Sequence, residues 1–172
     1  MTEPLTLYKL IVLYMLTKVN FPLTSGQISS FILEQGYTTY FTLQQALSEL
    51  SDSDLVHTES LRNTTQYSIT EEGAKTLEFF KNKISKAIRR DIDTYLKEHK
   101  LELRNEVSIL ADYYKTTSNE YAVHCVVKEK EADLIDLTLT VPLKEQAISI
   151  CNHWEGRCQE VYSYLMKTLM ES

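Results

Sequence analysis

The apolar residues of this chain change their spacing partway along it, and this change constrains the fold more than any other feature. In the first part they recur three or four residues apart, as on one face of an α-helix. Later runs alternate with polar residues, as in a β-strand with one covered face. A chain of 172 residues, 43% of them hydrophobic, can bury a core without disulfides or metal. We therefore expect an α+β protein.

Three helices are predicted in the first part of the chain. The first covers residues 5–19, where apolar side chains keep helical spacing. The second is capped by Thr24 or Ser25 and is stopped by Gly36, which can adopt the left-handed conformation of a helix C-terminus. Thr42 is predicted to cap the third helix, which ends in a run of turn-forming residues.

A β-hairpin is predicted next, followed by another helix. Residues 55–59 and 65–69 are β-prone, and residues 61–64 form the reversal between them. Thr70 then caps a helix that we expect to continue without a break to about Lys100.

The remainder of the chain predicts a sheet and a final helix. Alternating runs begin at Leu103, Tyr121 and Ile135, with short connections that indicate an antiparallel meander. After Pro142, which suits a helix start, helical spacing returns. This last helix is long enough to cover the apolar face of the sheet.

The sharpest local pattern joins the second hairpin strand to the next helix. It reads Tyr67-Ser68-Ile69-Thr70-Glu71-Glu72-Gly73, followed by Leu77. Tyr67 and Ile69 alternate into the core, and the Thr70 side chain satisfies free backbone N–H groups at the helix start. Gly73 permits a close approach between the helix and the hairpin.

This pattern resembles the Tyr-x-Leu-Thr-x-x-Gly-x-x-x-Leu sequence that closes the wing and opens the next helix in PadR-like and MarR-like winged-helix regulators. The resemblance covers residues 5 to about 90. The whole chain is similar to a bacterial family of small winged-helix proteins of unknown function. Family members usually carry Gly before the first wing strand, where this sequence has Ser53-Asp54, and Asp54 can adopt the same left-handed turn.

The resemblance implies an N-terminal winged helix-turn-helix, followed by a three-stranded antiparallel sheet packed with a long C-terminal helix. Residues 1–90 would form the DNA-binding domain. Residues 91–172 would form an α+β domain for dimerisation or effector binding.

The third helix and the hairpin turn supply the candidate DNA contacts. In helix-turn-helix proteins the second helix of the motif enters the major groove, where Gln can bond adenine. An Arg at the hairpin tip can reach phosphate or a minor groove. The alternative is a solvated helix face and an exposed turn. The predicted DNA-binding residues are Thr42, Gln44, Gln45, Ser48, Arg62 and Asn63.

The charge is unevenly distributed. The net charge is −6, and residues 1–70 hold three basic and six acidic residues, a net of −3. Residues 75–90 hold six basic residues and one Glu, a net of +5. This basic run indicates a phosphate-facing stripe or, as the favoured alternative, the solvated face of an amphipathic helix.

No motif indicates an enzyme, a cofactor or a metal site. The three cysteines have no paired spacing and predict reduced core thiols of a cytoplasmic protein. Cys151 and Cys158 share a helix face from which His153 points away. His124 and Cys125 are strand neighbours that face opposite sides, so they cannot act as a catalytic pair. No apolar segment reaches the length of a membrane span.

The sequence therefore predicts a homodimeric, DNA-binding transcriptional regulator without catalytic activity. The acidic first part motivates an alternative, a winged-helix module that binds protein rather than DNA. A small-molecule effector is a further possible partner. An aromatic set in the second part suggests either such a ligand pocket or, as the favoured reading, core packing or a dimer interface: Tyr113, Tyr114, Tyr121, Trp154, Tyr162 and Tyr164.

Overall fold

The computed structural model describes residues 4–61, 64–129 and 132–171. Contacts within the chain divide it into two compact units, Met1–Arg104 and Asn105–Ser172. The elements that begin in the first unit are, in order, α1 (Pro4–Thr17), β1 (Leu23–Thr24), α2 (Ser25–Glu34), α3 (Tyr40–Asp52), β2 (Val56–Leu61), β3 (Thr64–Ile69), α4 (Glu71–Phe80), a 3₁₀ turn (Lys81–Lys83) and α5 (Lys86–Ser108). Those that follow are β4 (Ile109–Lys115), β5 (Tyr121–Glu129), β6 (Ala132–Val141) and α6 (Lys144–Met170).

The core of the first unit surrounds α1. Every residue from Leu10 to Leu16 is buried, so this helix is covered on all sides. Strands β1, β3 and β2 form an antiparallel sheet in that order, with Leu23 opposite Tyr67 and Val56 opposite Ile69. The predicted hairpin is confirmed, and β1 extends it to three strands.

Several predicted helix ends are confirmed. Thr24 caps α2 by accepting the backbone N–H of Gln27 at 3.0 Å, while the Gln27 side chain accepts the N–H of Thr24. Gly36 follows α2 with φ of +72°. Thr70 caps α4 by accepting the N–H of Gly73. Asp54 has φ of +57°, the predicted left-handed turn.

The predicted start of α3 is wrong. Thr39, not Thr42, is the N-cap, and the backbone N–H of Thr42 donates to Thr39 Oγ1 at 3.3 Å. Both threonines are cap formers three residues apart, and the hydroxyl placed earlier in the chain captures the free N–H groups. The helix therefore begins with Tyr40 and Phe41.

The long helix predicted from residue 70 to residue 100 is also wrong. It is interrupted after Phe80 by the 3₁₀ turn and by Ile84, which has an extended backbone and is fully buried. Ser85 Oγ then accepts the N–H of Ile88 at 3.2 Å and restarts a helix as α5. The chain changes direction between α4 and α5, and this change allows Ile84 to be buried. Apolar spacing alone does not predict it.

The strand predicted from Leu103 begins later. Residues 103–108 continue α5, and Leu103 and Val107, four residues apart, are both buried as on one helix face. Strand β4 starts at Ile109. Leu103 and Val107 are four residues apart, a spacing that fits both a helix and a strand, and α5 continues through them.

The second unit has the predicted sheet and covering helix. Strands β4, β5 and β6 form an antiparallel meander, with Cys125 of β5 opposite Ala111 and Leu137. Helix α6 covers one face, where Trp154 lies in the core and donates its Nε1 hydrogen to the Val126 carbonyl at 3.1 Å. No helix of the described chain is long and apolar enough to cross a membrane.

Candidate nucleic-acid interface

Helix α3 has one buried and one polar face. Four of its apolar side chains are fully or almost fully buried in the core, and they are Leu43, Ala46, Leu47 and Leu50. Gln45 and Ser48 lie on the other side and are exposed, whereas Thr42 and Gln44 are half-buried. A partner can therefore reach Gln45 and Ser48 without any rearrangement of the unit.

The two hairpin residues among the predicted contacts, Arg62 and Asn63, lie outside the described residues. The strands that flank them are polar on their exposed side, with His57, Glu59 and Ser60 on β2. Neither strand carries Lys or Arg, and neither does α3. Arg62 is thus the single cation that the sequence supplies to the hairpin.

Two acidic residues of α3, Glu49 and Asp52, work against nucleic-acid binding, and the charge of Glu49 is paired inside the molecule. Lys9 Nζ of α1 donates to Glu49 Oε1 at 2.8 Å. The hydrogen bond from Lys9 lowers the pKa of Glu49, partial burial opposes that shift, and the Lys9 charge and a hydrogen bond from Gln45 reinforce it. Lys9 therefore offsets much of the repulsion that Glu49 would exert on phosphate.

Two aromatic side chains at the start of α3 were not among the predicted site residues. Tyr40 is 61% exposed and Phe41 is 81% exposed. The predicted cap at Thr42 would leave both residues outside the helix. With Thr39 as the cap they occupy the first turn of α3, the part of a recognition helix that faces base edges.

The basic run of residues 75–90 is divided among three elements. On α4, Lys75 lies 3.7 Å from both Glu71 and Glu72. On the 3₁₀ turn, the Lys83 ammonium lies 5.1 Å from the centre of the Phe80 ring. The remaining basic residues of this run lie on the 3₁₀ turn and at the start of α5, and they are Lys81, Lys86, Arg89 and Arg90.

In the second unit, the cysteine and histidine side chains that were candidates for catalysis or metal binding lie apart. Cys125 is buried against α6, and burial, reinforced by nearby Cys151, raises its thiol pKa to about 11, so the reactive thiolate is disfavoured. His124 faces the opposite side of the sheet, where its Nε2 lies 2.6 Å from Asp136 Oδ1. All three cysteines are free thiols. In the described part of the chain, no three His, Cys, Asp or Glu side chains are grouped as metal ligands.

The aromatic residues of the second unit occupy different environments. Trp154 is buried in the core, and Tyr113 and Tyr121 pack edge to face beside it, with ring centres 6.2 Å apart. Tyr114 and Tyr164 are more than half exposed. These side chains therefore do not line one common pocket.

Comparisons with known proteins identify the family to which this chain belongs. The family described as Domain of unknown function (DUF4364) matches residues 8–169. No curated protein matches the chain, and no solved structure matches it.

Proposed function

The chain belongs to the family described as Domain of unknown function (DUF4364), a description that names no function. We therefore propose a function from the geometry of the candidate site. The first unit is a winged helix that binds duplex DNA through α3 and the β2–β3 hairpin, and the protein acts as a homodimeric transcriptional regulator. The exposed polar face of α3, with Gln45 and Ser48, is the observation that carries this proposal.

The order of elements supports the winged-helix assignment. Three helices are followed by a two-stranded hairpin, and the short strand β1 between α1 and α2 pairs with β3 of that hairpin. Helix α2, the turn over residues 35–39 and helix α3 then form the helix-turn-helix. In that arrangement α3 is the helix that enters the major groove.

The C-terminal part of α6 supports the homodimer. Met166, Leu169 and Met170 recur at helical spacing and therefore share one face. Leu169 is 77% exposed and Met170 is 74% exposed. Two copies that buried this stripe against each other would form a two-fold interface, as the binding of a palindromic operator requires.

Fluorescence anisotropy with the full chain tests DNA binding. Duplexes selected from a random pool, long enough for two half-sites about one helical turn apart, should bind in about 50 mM salt and dissociate near 200 mM. Gln45→Ala should raise the dissociation constant about 10-fold through the loss of base contacts. Gln159→Ala, which removes an exposed glutamine from α6, is the matched control and should leave it unchanged.

Two results would count against the proposal. One is the absence of duplex binding at about 50 mM salt, where phosphate contacts are strongest. The other is equal binding by the Gln45→Ala and Gln159→Ala variants, which would remove α3 from the interface.

The exposed aromatics on α3 favour a second candidate, a protein-binding winged helix. Phe41, at 81% exposure, is the kind of side chain that anchors protein interfaces, and α3 carries no cation. Under this alternative, Phe41→Ala should abolish capture of a specific protein partner by the immobilised chain, while DNA binding stays absent at low salt. Under the DNA proposal, the chain should bind duplex DNA, and Gln45→Ala should weaken that binding.

A further inference from the structure

A basic pocket lies in the first unit, between α1 and the start of α5. It has a volume of about 420 Å³ and is lined by Tyr14, Lys81, Lys86, Arg89, Arg90 and Asp93. Four of these six side chains are cationic and one is a carboxylate, a net charge of +3. Like charges that converge on one surface repel one another, and an anion bound between them would relieve that repulsion.

Arg89 contributes to the lining of the pocket a guanidinium group that is not fully hydrogen-bonded. Arg89 Nε is buried and has no hydrogen-bond partner in the described part of the chain. Buried donors are nearly always paired in folded proteins, and an unpaired one indicates a missing acceptor. A guanidinium binds the oxygens of phosphate or carboxylate in a two-pronged arrangement.

At the start of α5, basic side chains lie at the positive end of the helix dipole, and a bound anion would offset both. Lys86, Arg89 and Arg90 lie in the first turns of this helix, where the helix dipole is positive and favours anions. The first turn contains no acidic residue. A helix N-terminus combined with basic side chains is a favourable environment for a phosphate group.

The nearby carboxylates are engaged by other groups. Asp93 Oδ1 accepts the Tyr14 hydroxyl at 2.8 Å and lies 3.8 Å from Lys18 Nζ. Asp91 accepts the Tyr37 hydroxyl at 2.8 Å. Over residues 4–61, 64–129 and 132–171, no carboxylate forms an ion pair with the four cations of the pocket.

We propose that this pocket binds the phosphoryl groups of a small ligand. A phosphate monoester carries about 1.5 to 2 negative charges near pH 7, so a ligand with two phosphoryl groups would match the pocket's net charge. Arg89 and Arg90 bind the phosphoryl oxygens, and Lys81 and Lys86 neutralise the remaining charge. The site is separate from Gln45 and Ser48 on α3, and the inference does not depend on DNA binding.

Calorimetric titration and thermal unfolding of the full chain test the inference, with sodium pyrophosphate and inorganic phosphate as probes and sodium chloride at equal ionic strength as the reference. Pyrophosphate should bind more tightly than phosphate. At about 100 times its dissociation constant, it should raise the unfolding midpoint by roughly 5 to 10 °C.

Matched variants separate specific from general electrostatic effects. Arg89→Gln combined with Arg90→Gln should weaken pyrophosphate binding about 10-fold or more. Lys97→Gln combined with Lys100→Gln removes the same number of charges from exposed positions of α5 outside the pocket, and it should leave binding unchanged. Arg89→Lys keeps the charge but removes the planar guanidinium that can bind two phosphoryl oxygens, and it should weaken binding even where the Gln variant is poorly folded.

Three results would overturn the inference. The first is no pyrophosphate binding by the natural chain, and the second is equal binding by the two double variants. The third combines two observations: the Arg89→Gln, Arg90→Gln variant no longer binds duplex DNA, and pyrophosphate neither binds the natural chain nor competes with DNA for it. That result would show that these arginines contact the DNA backbone. Failure of the Gln45→Ala test alone would overturn the DNA proposal and leave this one standing.

Discussion

At position 73 the absence of a side chain allows α4 to lie against the start of the hairpin. A Cβ atom there would be 2.0 Å from the Leu55 carbonyl oxygen and 2.9 Å from Ile69 Cγ1. The same carbonyl accepts the backbone N–H of Thr70 at 3.2 Å, so it cannot move away without the loss of a hydrogen bond. The predicted close approach at Gly73 is therefore confirmed as contact with backbone.

We expect Gly73→Ala to lower the free energy of unfolding by about 2 to 3 kcal/mol, since the new methyl group forces the backbone apart. Gly156→Ala is the control, because a Cβ at that helical position meets nothing within 4 Å. It should raise the free energy of unfolding by about 0.5 to 1 kcal/mol through helix propensity. Urea unfolding followed by circular dichroism measures both, and equal stability of the two variants would contradict the contact.

At the scale of elements, α1 and α5 are joined by the hydrogen bond from Tyr14 to Asp93. Burial, then this hydrogen bond and the charge of Asp93, raise the pKa of Tyr14 from 10.0 to about 12, while the Arg89 charge opposes the shift. The folded protein thus favours the neutral phenol. Stability from Tyr14 is fully present below pH 10 and is lost as the pH rises through about 12.

Tyr14→Phe should remove this part of the alkaline pH dependence. The shift corresponds to about 2 to 3 kcal/mol of unfolding free energy lost by the natural chain between pH 10 and pH 12, relative to the variant. Urea unfolding at both ends of this range measures the difference. Tyr164→Phe, at a position 68% exposed, should decline with pH as the natural chain does. The same decline in Tyr14→Phe would show that the phenol does not titrate abnormally.

At the scale of the whole molecule, the chain has two compact units with separate cores. The exposed apolar stripe of α6, which includes Leu169, belongs to the second unit. Contiguous exposed apolar patches are common at protein–protein interfaces. The stripe is the observation from which we propose that this unit forms the homodimer.

Sedimentation velocity of the full chain should show a dimer, and Leu169→Glu should raise its dissociation constant about 10-fold or more, since a charge would be buried in the interface. Thr168→Glu introduces the same charge at an exposed position of α6 outside the stripe and should leave the dimer intact. A monomeric natural chain, or a Leu169→Glu variant that remains a dimer, would exclude α6 as the dimer interface.

Short-range signals allowed much of the fold to be predicted. The caps at Thr24 and Thr70, the stop at Gly36 and the alternation along β6 depend on residues a few positions apart, so the sequence alone contains them. It also contains the candidate residues Gln45 and Ser48, because the buried face of α3 is evident from its apolar spacing. Local periodicity was insufficient where two patterns competed, as at Thr39 against Thr42 and at Leu103.

Tertiary structure decided what local patterns could not. The break at Ile84 follows from its burial in the core, and the pairing of Tyr14 with Asp93 joins residues 79 positions apart. These two features place part of the basic run around one pocket, where Arg89 Nε has no hydrogen-bond partner within the described residues. The run by itself predicts either a phosphate-facing stripe or, as the favoured alternative, a solvated helix face. Apolar periodicity in the sequence indicates which face of a helix or strand is buried. The packing of elements that are distant in the sequence decides which charged side chains come together.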